Sequence, residues 1–389
     1  MKACPWRIAA AVCLVAAGIS IFVLIARNNN AGQRDFIQYW ASGQHLIHGA
    51  NPYDDASIQA LERANGYVLD YRLTMRNPPV ALFLALPLGL VSANTGLILW
   101  LILLLASLVA SIHMLRNLHG HPDNRLHLLG YCFAPVMECL MAGQLGIFLL
   151  LGVTLFLYFH KSRPFLAGAA LLLCATKPHL FLPFGIVLLV WIVIQKQYRI
   201  LSGFCLALLA SGTLAFCFDP HVWSQYMLTM RSAGALNEPV PVLSLIFRCL
   251  IDRNAAWLQF LPEAAGCVWA LWYYWTRRSH WSWMNQGLLL LLVSALCRPF
   301  GWFSDEALLI PAILTGIYRA DDSGRSLLPF GFIAGIAMIE VFADVQMTTM
   351  YYLWTVPAWL LWYLYATGNG DRQAKGTGGR GDTSVQVHS

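Results

Sequence analysis

The stretch GLILWLILLLASLVASIHML, residues 96–115, contains no Asp, Glu, Lys or Arg. It is as long as the roughly 20 apolar residues that carry a helix across a bilayer. Similar runs recur on both sides, near 8–26, 126–142, 144–160, 164–176, 179–195, 200–218, 255–276, 284–297, 306–318, 327–343 and 350–367. The 389-residue chain is 58% hydrophobic and 11% charged, where soluble domains carry roughly 25% charged residues. Lipid is therefore the expected solvent. Spanning segments have to satisfy their backbone polar groups internally, so the runs predict an all-α polytopic membrane protein.

The net charge of +6 does not form one basic face of the kind that binds nucleic acid. The bases lie in short clusters at Arg116/Arg125, Lys161/Arg163, Lys196/Arg199, Arg277/Arg278, Arg319/Arg325 and Arg372/Lys375/Arg380. Clusters between apolar runs follow the positive-inside rule. All of them face the cytoplasm only if Pro78–Val91, which opens Pro-Pro and is short for a span, does not cross. That segment is expected as a re-entrant or surface helix (78–91) on the outer side, leaving about 12 transmembrane helices with both termini inside. The run 8–26 reads as a retained first helix with Lys2 and Arg7 inside the cell, because no small-residue cleavage site follows it. Residues 1–367 then form a single transmembrane domain, with 27–77 as its first periplasmic loop. The Gly-rich stretch 368–389 is expected as a disordered cytoplasmic tail, which puts Arg380-Gly381-Asp382 on the wrong side for adhesion. The ten cysteines lie mostly within or beside apolar runs with no C-x-x-C pair, as small packing residues do, and no metal site shows in the spacing.

This topology gathers the unpaired acids and bases on the outer face, and ionisable groups at membrane depth are functional candidates by default. Asp35 follows Arg34 shortly after the first run, with the interfacial aromatics Tyr39 and Trp40 behind it and Asn51-Pro52-Tyr53-Asp54 further on. Taken alone, Arg34-Asp35 is the pattern of a solvated ion pair. Lys177 sits between two apolar runs with Pro178 after it; either it snorkels to headgroups or it meets a phosphate. His179 is a second phosphate or sugar contact, or a plain helix-start histidine. Gln144 meets a substrate from the Gly143-Gln144 corner, or caps its helix. The segment from Arg298 through Trp302 to Asp305-Glu306 sets a base, aromatic planes and two acids at one edge. It suits a sugar, with Asp305 the better contact, or an interfacial belt.

The ordered set Asp35-Phe36-x-x-Tyr39-Trp40, Asn51-Pro52-Tyr53-Asp54, Asn77-Pro78-Pro79 with Leu86-Pro87-Leu88, Gly143-Gln144, Lys177-Pro178, Ser244-Leu245 and Arg298 to Leu309 resembles the bacterial glycosyltransferase family 87. These are polyprenyl-phosphate-sugar-dependent enzymes of the GT-C superfamily that include mycobacterial mannosyltransferases. The set covers about residues 30–315. Two departures stand out: the family often has Tyr-Pro-Pro at 77–79, and tyrosine and serine at Phe300 and Gly301. The resemblance implies a GT-C fold with the catalytic aspartate in the first outer loop, here Asp35. It implies inverting transfer of a sugar, mannose among relatives, from a polyprenyl-phosphate donor to a lipid or glycan acceptor at the outer face of a bacterial inner membrane. Asp35 would be general base and Lys177, with Arg298 or Arg34, would stabilise the leaving phosphate. Arg34, Tyr39, Asn51, Tyr53, Gln144, Lys177, His179, Arg298 and Asp305 are the expected substrate contacts. No cofactor or metal enters the scheme, and no D-x-D sequence is present. A transporter or flippase is the rival class, but no second copy of the Asp35–Asp54 segment or of Lys177-Pro178 marks the internal repeat common there. A non-catalytic assembly subunit is a third.

Overall fold

The structure, a computed structural model, describes residues 30–69, 72–232, 240–343 and 350–368. The first run (8–26) and Arg380-Gly381-Asp382 lie outside the described residues. Regular structure among the described residues is helical throughout, without strands: α1 (Phe36–Ile47), α2 (Asp55–Ala64), α3 (Ala93–Leu118), α4 (Ala134–Ala142), α5 (Gly146–Phe159), α6 (Pro164–Ala170), α7 (Leu182–Ile194), α8 (Tyr198–Phe218), α9 (Val222–Ser232), α10 (Leu243–Leu250), α11 (Trp257–Arg277), α12 (Leu288–Cys297), α13 (Ile310–Asp322), α14 (Leu328–Phe342) and α15 (Thr355–Thr367). Many starts are written locally. Proline occupies the first turn of α4, α6, α7, α13 and α14, where its missing N–H costs nothing. Asp54 and Ser92 accept backbone N–H groups at the starts of α2 and α3.

Helix α3 shows why lipid surrounds the bundle. Leu97, Trp100, Leu104, Leu108, Ile112 and Leu115 are buried, while Ile98, Leu99, Ile102, Leu103, Leu105 and Val109 on the other faces are 45–57% exposed. A continuous aliphatic strip of that size is a membrane-facing surface. By length and composition, α3 and α8 are the two described helices able to cross a bilayer; the other apolar helices are shorter. Several expected runs are broken. Run 126–142 is a 3-10 segment, Leu126–Cys132, followed by α4; 284–297 opens with a π-helical turn at Trp283–Gly287; and the start of 306–318 is 3-10 up to Leu309. Apolar runs therefore outnumber the described helices long enough to cross. Prolines and altered helical pitch interrupt them, which a hydropathy count does not register.

Residues 78–91 form a broken helix: 3-10 turns at Pro79–Ala81 and Leu86–Leu90 flank one α-turn, Leu82–Ala85. It packs on α1 through a backbone-to-backbone contact. A Cβ at Gly43 would strike the Ala85 carbonyl oxygen, and one at Gly89 would strike that of Gly43. Trp40 Nε1 donates to the Val91 oxygen at 2.9 Å, and Gln44 Nε2 to that of Gly89 at 2.6 Å. Helix α1 is thus tied to the segment that leads into α3.

Candidate functional site

Asp35 stands at the N-terminal edge of α1, and its orientation is set by a corner over a hundred residues later. Helix α4 ends in Gly143 with φ +73°, the left-handed cap that glycine adopts without strain. This turns Gln144 toward α1. Its Nε2 donates to Asp35 Oδ2 at 2.7 Å, while its Oε1 accepts from the Tyr39 hydroxyl at 2.8 Å, which fixes which end of the amide faces the acid. Tyr39 stacks on Trp100 at 5.5 Å, and Trp100 donates to the Gly143 oxygen at 2.8 Å, closing the ring of contacts. Asp35 Oδ1 makes no hydrogen bond among the described residues, and Asp35 is partly exposed. Burial raises the Asp35 carboxyl above its ordinary value, against the Gln144 hydrogen bond and the Lys177 charge, which lower it. Arg34 turns the other way, with Nη1 on the carbonyl oxygens of Leu140 (3.3 Å) and Met141 (2.9 Å) at the end of α4.

The second centre is Lys177, between the 3-10 turns Cys174–Thr176 and Pro178–Leu180. Its Nζ donates to Asp305 Oδ1 at 2.6 Å, with both side chains buried. Asp305 Oδ2 accepts the Trp302 backbone N–H at 3.0 Å, so both its oxygens are engaged by protein. Burial pushes the Asp305 carboxyl up, but Lys177, the Trp302 N–H and Arg298 outweigh it and hold it below the ordinary range. Asp305, expected from the sequence as a sugar contact, is placed as the counter-ion of Lys177. The lysine corner is held from the first loop. Asn77 Nδ2 donates to the Thr176 oxygen (2.9 Å), the Tyr53 hydroxyl to the Asn77 oxygen (2.9 Å), and the Tyr53 N–H to Asn51 Oδ1 (2.9 Å). The Asn51 and Tyr53 side chains thus brace the fold. At Asn77, where the family often has tyrosine, the amide supplies the bridge.

The third centre is a buried ion pair, Arg298 Nη2 to Glu306 Oε1 at 3.1 Å, with Thr355 Oγ1 donating to the same oxygen at 2.8 Å. Arg298 Nη1 has no partner among the described residues. A Cβ at Gly301 would run into the Arg298 side chain, so glycine here, where the family often has serine, makes room for the guanidinium. The Pro299 oxygen accepts from Ser244 Oγ (3.4 Å) and from Gln259 Nε2, and Arg248 holds Gln259 (3.1 Å). His179 packs edge-on against Phe300 at 6.3 Å. Sequence reasoning passed over Glu306 as a partner, and missed Thr355, Gln259 and Arg248. Their one signal was polarity at the ends of apolar runs.

An apolar groove of about 620 Å³ opens beside Lys177. Ala175 and Pro178, either side of the lysine corner, form part of its wall, with Val80 of the broken helix and Leu208, Gly212 and Phe216 along α8. Among the described residues no three His, Cys, Asp or Glu side chains converge as metal ligands.

Gln144→Leu should leave the fold intact and cut turnover at neutral pH roughly 10- to 100-fold, since a hydrogen bond to a charged group is worth about 1.5–3 kcal/mol. Losing a donor to the carboxylate raises the pKa of Asp35, so the acid limb of the pH–rate profile should move to higher pH. An unmoved limb would separate Gln144 from Asp35.

A family model described as Glycosyltransferase family 87 matches residues 76–318, more than half of the chain. The match includes Gln144, Lys177, His179, Arg298 and Asp305 and begins after Asp35. No curated protein and no solved structure matches the chain.

Proposed function

Because the chain belongs to glycosyltransferase family 87, we propose that it moves a sugar from a polyprenyl-phosphate donor to an acceptor hydroxyl, with inversion and with Asp35 as general base. The family makes it a glycosyltransferase with a sugar donor and an acceptor, and its aliphatic outer faces make it membrane-associated. The finer reading rests chiefly on one arrangement: a carboxylate aimed by Gln144, a buried lysine whose charge reaches it, and an apolar groove walled in part by Ala175 and Pro178 on either side of that lysine.

In this reading the prenyl chain lies in the groove and its phosphate meets Lys177. An ammonium has three N–H donors and Asp305 takes one, leaving two for phosphate oxygens. Asp35 Oδ1 takes the proton of the acceptor hydroxyl. The acceptor oxygen bonds to the anomeric carbon from the face opposite the phosphate, and the carbon–oxygen bond to phosphate breaks with its electron pair leaving on polyprenyl phosphate. Lys177 stabilises the charge that develops. Tyr39 and Gln144 orient the base. Arg298 and His179 border the lysine corner, Arg298 with its Nη1 without a partner among the described residues. A GT-C architecture of about twelve passes, its site facing the periplasm of a bacterial inner membrane, completes the proposal, with mannose one sugar to try.

The test is to incubate purified protein with a panel of labelled polyprenyl-phosphate sugars and acceptor lipids or glycans. Donor-dependent transfer is expected with at least one member. Binding and passage of the lipid across vesicles without transfer would favour a transporter. The groove gives a second expectation. A Cβ at Gly212 meets Trp223 at 3.4 Å and Val80 at 3.9 Å, ordinary contact, so a larger side chain projects into the groove. Gly212→Leu should raise the KM for a long-chain donor about tenfold, given roughly 0.8 kcal/mol per displaced methylene, and affect a short-chain donor less. Equal effects on both donors would empty the groove of its occupant.

A further inference from the structure

Helix α2 looks like a solvated surface helix, yet Glu62 is fully buried and neither of its carboxyl oxygens has a hydrogen-bond partner among the described residues. Ile58, one turn earlier, is buried on the same face. The end of α2 is clamped to the turn that leads into Asp35: Tyr67 N–H donates to the Glu62 backbone carbonyl oxygen at 3.1 Å, and a Cβ at Gly32 would strike the Asn65–Tyr67 backbone. Glu62 is thereby held within reach of the Asp35 charge. A buried acid with no hydrogen-bond partner among the described residues and a carboxylate nearby favours the neutral form.

We propose that Glu62 is a positioning residue for Asp35, a protonated second carboxyl that leaves the pair with a single negative charge beside the donor phosphate. This rests on Asp35 being the general base. The ionisable groups on the segment against α2 are Arg34, Asp35, Tyr39, His45 and His48, with Asp54, Asp55 and Arg63 on α2 and its cap. Arg34 spends Nη1 on carbonyl oxygens of α4, and Asp54 is capped by Ser57. Burial, then Asp35 and Asp55, raise the Glu62 carboxyl to about 8. Two carboxyls driven apart in this way divide the roles, one the ionised base and one the neutral neighbour. Above that pH a second negative charge appears and repels an anionic donor.

The experiment titrates the infrared carbonyl band of buried protonated carboxylic acids in the purified full chain, beside donor KM as a function of pH. Wild type should show a band at neutral pH that is lost with a midpoint of about 8, together with a rise in donor KM over the same range. Glu62→Gln should lack that band, fold, remain active at neutral pH and show no alkaline rise in KM. Asp35→Asn should keep the band and move its midpoint down, since the neighbouring charge is gone. A Glu62→Gln spectrum identical to wild type, or a midpoint unmoved in Asp35→Asn, overturns the proposal. So does a Glu62→Gln protein that keeps the alkaline rise, or that folds and is inactive at every pH. Should Glu62→Gln not fold, the wild-type and Asp35→Asn midpoints decide alone. Activity in Asp35→Asn would overturn the base assignment while leaving the band titration readable, so the two failures are distinguishable.

Discussion

Asp35→Asn is expected to lower kcat about 10²- to 10⁴-fold, the range a positioned general base supplies, while leaving donor binding intact. The substitution is isosteric, and the asparagine oxygen can still accept from Gln144 Nε2, so the ring of contacts through Tyr39, Trp100 and Gly143 has no reason to open. What disappears is the group that takes the acceptor proton. The Lys177 charge is felt at Asp35, so removing the carboxylate also removes a competitor for that charge. Donor affinity should then stay level or tighten. A fall in kcat with Kd unchanged or lower is the signature of a lost base; equal losses in both would indicate a disturbed site instead. Wild-type activity should fail on the acid side at a pH above the ordinary aspartate range, because burial raises the group that has to be ionised. Full turnover in Asp35→Asn would end the assignment.

The fold class was legible because solvent choice is a bulk property: runs such as 96–115 have no other stable home. So were many helix starts, where Pro135, Pro164, Pro183, Pro311 and Pro329 mark the first turns. Lys177 stood out for a related reason, since a lysine between apolar runs needs an anion. Its partner was not legible. Asp305 lies 128 positions away, and which anion neutralises a buried cation is a question of tertiary packing. The same blindness affected Gln144, whose bond to Asp35 spans 109 positions, and Glu62, which local pattern places on a wet helix and the approach of α1 buries. Apolar runs outnumber the described helices long enough to span, because hydropathy sees α4 and the 3-10 turn before it as one run. Asn51 and Tyr53 are expected as substrate contacts through the family resemblance. The bonds from Asn51 and Tyr53 to neighbouring backbone appear only in three dimensions.

Asp305→Asn should have the largest effect on stability. It leaves Lys177 buried without its counter-charge, and removing one partner of a buried ion pair costs about 3–5 kcal/mol. The pH dependence has a definite sign. The folded Asp305 carboxyl lies below its ordinary value, so its contribution is present above the unfolded pKa and is lost as pH falls through the folded one. Asp305→Asn should flatten that acid-side loss in a thermal-denaturation series. Replacing both groups, as in Lys177→Met with Asp305→Leu, should recover much of the stability, since apolar replacements of buried pairs are often neutral or better. Turnover should not return, because the phosphate has lost its cation. The role of Asp305 is then separated by ligand protection. If Lys177 receives the donor phosphate, polyprenyl phosphate supplies the missing negative charge in Asp305→Asn, and at 100 times its Kd a bound ligand adds about 2.7 kcal/mol. The variant should bind polyprenyl phosphate more tightly than wild type does, because the anion no longer competes with a carboxylate for the ammonium. A sugar-binding Asp305 predicts the reverse: unchanged affinity for polyprenyl phosphate without its sugar, and weakened affinity only for the sugar-bearing donor.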